Sequence, residues 1–191
     1  GNGELSRYLR CALHTMMSDQ KGRLETDDDT VEPCYSVVAC DDHPSSNPIG
    51  IVERADYKAA LTTYRPHLVL CSWMPMGVDW SADFRRELVA ECTGRGLARR
   101  NLGEYILLGE VYDGACGHNW HTWGNPAFCE SEGATEEAPY KRDGWHVMEL
   151  EDVSKWMVSR FASDVEECVC HSAAVSFSRV YALSEHTFER W

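Results

Sequence analysis

Apolar positions along this chain follow two rhythms. Leu5, Tyr8, Leu9, Ala12, Leu13 and Met16 fall three and four residues apart. That spacing predicts a helix over 4–18 with one buried stripe. A β-prone run from Cys34 to Cys40 ends in Asp41-Asp42, and a second from Ile49 to Glu53 closes at Ala55-Asp56. Asp56 is placed to cap a helix carrying Tyr57, Leu61 and Tyr64 on one face, which Pro66 ends. His67 to Trp73 is apolar nearly throughout, as a strand buried on both faces should be. Trp80, Phe84, Leu88 and Cys92 repeat at steps of four before Gly94 and Gly96 stop the helix. Strands follow at 105–109, at 145–150 and within 169–180, where Val-Ser-Phe-Ser alternates. Val153, Trp156, Met157 and Phe161 suit a helix over 151–163, although the flanking strands could pair around it. Strands alternating with helices predict an α/β domain, with a mostly parallel sheet flanked by helices and an antiparallel C-terminal strand.

Two segments break the rhythm. Residues 19–33 are polar and hold Asp27, Asp28 and Asp29, an acidic insertion loop. Residues 111–143 have no period and are rich in Gly, Trp, His and Cys, a long loop of the functional kind. With 191 residues, 1–191 reads as a single domain. The net charge of −13 argues against direct nucleic-acid binding. Nine cysteines, an odd number scattered through apolar runs, point to reduced thiols and an intracellular protein: cytoplasm, nucleus or organelle matrix. No apolar run is long enough to span a bilayer.

In open α/β sheets ligands bind beyond the carboxyl ends of the strands. Gly1-Asn2-Gly3 lies directly before the first helix, where a glycine pair lets a ligand approach the helix N-terminus. The strand that should precede this turn is expected upstream of Gly1. Asp41 and Asp42 end the next strand, where a carboxylate can accept from both hydroxyls of a ribose. Asp56 ends the strand after that and could accept from an adenine amino group. Ser72-Trp73-Met74-Pro75 ends a further strand, beside the reactive end of such a cofactor.

This ordered set resembles the class I S-adenosylmethionine-dependent methyltransferases. Gly1-Asn2-Gly3 looks like the last three positions of their glycine motif, so the chain would start inside it, with the first strand absent. The resemblance implies a Rossmann-like fold and S-adenosylmethionine as cofactor, held by Gly1, Asn2, Gly3, Asp41, Asp42, Asp56, Tyr57, Ser72 and Trp73. It places Met74 and Pro75 at the methyl-transfer site, and Val175 to Arg179 resembles the family's last, antiparallel strand. Ser72 to Pro75 departs from the Asn/Asp-Pro-Pro-aromatic signature of the enzymes that methylate nucleic-acid amino groups. The acceptor is therefore expected to be a small molecule or a protein, with Trp120 and Trp123 stacking on it. His118 and His121, and after them His43, are the residues available as a general base. The spacing Cys116-x-His118-x-x-His121-x7-Cys129 matches no common structural-zinc frame, so no metal is assigned. The alternative is a catalytically inactive methyltransferase-like subunit with a structural or assembly role in a larger complex. A dinucleotide oxidoreductase fits less well, because Ser6 stands where the last glycine of Gly-x-Gly-x-x-Gly would fall.

Overall fold

The computed structural model describes residues 3–21, 36–46, 50–94, 103–111, 114–129, 137–157 and 172–179. Two compact units make up the chain, Gly1–Tyr64 and Arg65–Trp191.

In the first unit, α1 (Glu4–Lys21) starts with Glu4 in its first turn, favourable at a helix N-terminus. Arg10 ties the helix to the following segment, its guanidinium donating to the Val37 carbonyl at 2.6 and 3.0 Å. The expected stripe is not buried: Leu5, Tyr8 and Met16 are all exposed. Helical spacing sets which residues share a face, but tertiary packing decides whether that face is covered. Strands β1 (Cys40–Asp41) and β2 (Glu53–Arg54) pair in parallel, Cys40 opposite Glu53 and Asp41 opposite Arg54. They are shorter than the apolar runs predicted, and the start of the first run, Cys34-Tyr35, lies outside the described residues. Helix α2 (Tyr57–Tyr64) follows, with Leu61 as its buried residue.

The second unit holds a four-stranded sheet: β3 (Leu68–Ser72), β4 (Glu104–Glu110), β5 (His146–Glu149) and β6 (Ser172–Ser178), in the order β3-β4-β6-β5. Between β3 and β4 runs α3 (Ser81–Gly94); α4 (Pro139–Arg142) and α5 (Glu151–Ser154) flank β5. β3 and β4 are parallel, whereas β6 is antiparallel to both β4 and β5. The fold is thus α/β with a mixed sheet, and a mostly parallel sheet is not what forms. The cause is the position of β6, which enters between β4 and β5 and so reverses two pairings at once. Its central place buries all of Ala173 to Phe177, the serine of the alternating pattern included. Ser176 is tolerated there because its hydroxyl donates to Glu104 Oε1 at 2.6 Å.

Aromatic rings fill the face of this sheet that looks at α3. Tyr105 stacks on Phe177 with centroids 4.6 Å apart and planes 5° from parallel. Phe84, Trp145 and Tyr140 close around that pair at 5.2–5.9 Å. Such contacts contribute about 0.5–1.5 kcal/mol per pair beyond their burial. β3, expected to be buried on both faces, has Cys71 as its buried residue, and Leu68 and Ser72 are exposed. Among the described residues no helix is long and apolar enough to cross a membrane.

Candidate functional site

The proposed cofactor residues divide between the two units. In the first, Gly3 has φ +79°, a left-handed conformation that favours glycine. A side chain there would meet Val52 Cγ2 at 2.7 Å and the Gly50 backbone at 3.1 Å. Gly3 therefore packs against the residues that lead into β2. Asp41 and Asp56 lie at the other, trailing end of that strand pair. The Ala55 amide donates to the Asp41 carbonyl at 3.1 Å, which brings the two acidic strand ends side by side. Asp41 Oδ1 accepts from the His43 amide at 2.8 Å, an Asx-type turn. Asp42 and His43 meet at 3.2 Å on the surface, and the hydrogen bond from His43 holds the Asp42 carboxyl below its ordinary range. Asp56 Oδ1 accepts from the Lys58 and Ala59 amides at 2.8 and 2.9 Å. It is the N-cap the sequence predicted. Tyr57 is half-buried, with the Lys58 ammonium 5.7 Å from its ring centre. Gly1 and Asn2 lie outside the described residues.

In the second unit, β3 ends at exposed Ser72, and the chain then turns through Trp73 with φ +60°. A bulky residue in that region costs about 1–2 kcal/mol and persists only where its surroundings hold it. Here the Trp73 amide extends the sheet ladder, donating to the Leu108 carbonyl at 2.8 Å. Gly109 beside it has φ +155°, and a side chain at Gly109 would meet Cys116 Sγ at 2.5 Å. This close approach lets the loop that begins at residue 114 descend onto the sheet. Gly117 then clasps the β3 loop from both sides: its amide donates to Met74 at 3.2 Å, and its carbonyl accepts from Gly77 at 2.8 Å.

Once down, the loop satisfies its own polar groups. Thr122 Oγ1 donates to Asp79 Oδ1 at 3.0 Å and accepts from the His118 amide at 3.1 Å. Asp79 Oδ1 also accepts from the Ser81 amide at 3.0 Å and the Ser81 hydroxyl at 2.5 Å, fixing the entry to α3. Trp123 Nε1 donates to the Cys116 carbonyl at 2.6 Å. His118 Nδ1 accepts from the Trp120 and His121 amides at 3.2 and 3.1 Å, so a neutral His118 carries its proton on Nε2. Its ring centre stands 4.4 Å from that of His121, which is exposed. Trp120 and Trp123 are buried at 6% and 5% exposure and Met74 at 3%, so none presents a face to solvent. Pro75 is the exposed member of the proposed acceptor set.

A buried cation stands behind this loop. Arg85, in the second turn of α3 and 4% exposed, donates from Nε to Asp143 Oδ2 at 2.7 Å. Its Nη1 reaches Ser81 Oγ at 2.8 Å and the Tyr105 hydroxyl at 3.3 Å. Burial opposes the charge, but Tyr105 and Asp143 more than offset it, and the guanidinium stays above its ordinary value. Asp79, Ser81, Arg85 and Thr122 were not among the residues singled out by sequence. The Asp79-Trp-Ser81 start of α3 carried a capping signal; the long-range partners Thr122, Tyr105 and Asp143 carried none. Among the described residues, no three His, Cys, Asp or Glu side chains converge as a metal site would.

Comparison with known protein families, curated proteins and solved structures finds no match to this chain. The functional reading therefore rests on the chain's own geometry.

Proposed function

We propose that this chain is a methyltransferase-type domain that binds S-adenosylmethionine and passes its methyl group to a small-molecule or protein acceptor. The observation that carries this reading is the meeting of Asp41 with Ala55-Asp56 at the trailing end of β1 and β2. Adjacent acidic ends of parallel strands suit the two halves of an adenosine. Asp41 and Asp42 would take the ribose hydroxyls, and the second oxygen of Asp56 the adenine amino group. The reversed β6 supports the same reading, since the resemblance expects an antiparallel last strand. Gly3 gives it less support, because its contacts are with residues leading into β2. Held there, S-adenosylmethionine would supply an activated methyl group on a good leaving group, and the chain's own part would be to hold the acceptor in line with it.

The second reading, a catalytically inactive subunit, is favoured by the 114–129 loop. Thr122, His118 Nδ1 and Trp123 Nε1 are all spent on internal bonds. A loop packed this way suits a structural role as well as it suits a cover over substrate.

Calorimetry of the full-length protein with S-adenosylmethionine and S-adenosylhomocysteine tests the proposal. Binding is expected, and Asp42→Ala, an exposed position, should weaken it at least tenfold with an unchanged melting temperature. Binding without turnover across amine, thiol and carboxylate acceptors would move the chain to the second reading. No binding to folded protein would sink the first.

A further inference from the structure

Among the described residues the four-stranded sheet has two edge strands, β3 and β5, and β5 is the one exposed along its whole length, with charge distributed asymmetrically about it. Among the described residues β5 pairs with β6 alone, and all four of its residues are exposed. Its pairing runs unbroken from His146 to Glu149, with no bulge, proline or lysine in the strand. These are among the devices that keep an edge from pairing; of the others, β5 carries its shortness, four residues, and the charge of Glu149. Apolar groups gather there instead: Val147 is 41% exposed, Met148 62%, Val153 46% and Trp156 79%. So much exposed apolar surface on and just after one edge strand is what a docking face offers.

Charge selects the occupant. Exposed Lys141 and Arg142 lie at the end of α4, just before β5 begins, and Asp143 after them is taken up by Arg85. Exposed Glu149 and Glu151 lie where β5 ends and α5 begins, whereas Asp152 is paired with Lys155 at 2.7 Å. A strand basic at its start and acidic at its finish complements its own copy when the two run antiparallel. The start of each then faces the finish of the other, and opposite signs meet twice around a two-fold axis. A parallel alignment would set like charges together. We propose that β5 is a homodimerisation edge, pairing antiparallel with β5 of a second copy to continue the sheet across both. Backbone hydrogen bonds and the Met148 and Trp156 surface supply the attraction. The charges fix direction and oppose, locally, the repulsion of two chains at net −13 each.

Sedimentation equilibrium of the full-length protein over a concentration series tests this. The expected result is a reversible dimer. Met148→Lys should raise the dimer dissociation constant at least tenfold without lowering the melting temperature. Arg142→Glu should weaken the dimer, Glu151→Arg should do the same, and the double variant should restore it, because each reversed charge meets the other across the axis. A monomer at every concentration overturns the proposal. So does a dimer indifferent to Met148→Lys, or a double charge reversal no better than the singles.

Discussion

Thr122 and Asp79, 43 residues apart in the chain, are joined by a 3.0 Å hydrogen bond from hydroxyl to carboxylate. The bond ties the long aromatic loop to the turn that starts α3. Both Thr122 and Ser81, the other side chain on that carboxylate, are fully buried. Asp79→Ala would strip one acceptor from three donors at once. A buried group left unsatisfied costs about 1–3 kcal/mol, so the variant should lose roughly 2–4 kcal/mol. Thr122→Val, which removes one of those donors and the acceptor of the His118 amide, should lose about 1–2 kcal/mol. Urea denaturation decides the matter; equal losses in the two variants would mean that Asp79 does not organise both elements.

Asp143 neutralises a cation that has almost no access to water. Its own side chain is half exposed, at 49%, against 5% for Arg85. Removing the partner of a buried charge costs about 3–5 kcal/mol, and the solvent at Asp143 reduces this to roughly 2. Asp143→Ala should therefore destabilise more than Arg85→Met, which removes the charge along with its need for a partner. The double variant should match Arg85→Met alone. Thermal melts of the three proteins read this directly, and additive losses would show that the pair is not coupled.

Stability should fall in alkali. Burial pushes the Cys71 thiol from 9.0 up to about 12, with Cys116 adding to the shift, and burial likewise raises the Tyr105 hydroxyl above 10.0. Both groups hold their protons more tightly folded than unfolded. Their contribution is thus complete below about pH 9 and is lost as pH climbs toward the folded values. Each group steepens the fall by up to about 1.4 kcal/mol per pH unit while the unfolded chain is the more ionised. Melting temperatures from pH 7 to 11 should be level at first and then decline, with a shallower decline in Cys71→Ala. A flat profile through pH 11 would contradict the burial of both groups.

Much of this was legible in the sequence. Helical spacing located α1, α2 and α3, because residues three and four apart must share a face in any helix. Short apolar runs located β3 to β6 and met β1 and β2 only at Cys40 and Glu53, and Asp56 before a polar-apolar repeat announced a cap, since a side-chain oxygen there answers amides that no helix can satisfy internally. These are local effects, fixed by backbone geometry within a few residues. Tertiary structure decided what local rules cannot reach. β6 lies between β4 and β5 because burying Ala173 to Phe177 requires a neighbour on each side, and no alternation within the strand can express that. Trp120 and Trp123, read as stacking surfaces, are buried because Gly109 lets Cys116 approach the sheet and draws the loop in with it. The Thr122–Asp79 bond and the pairing of Arg85 with Asp143 both join residues far apart in the chain. Their energy comes from desolvation and charge in three dimensions, which the order of residues encodes only through the fold.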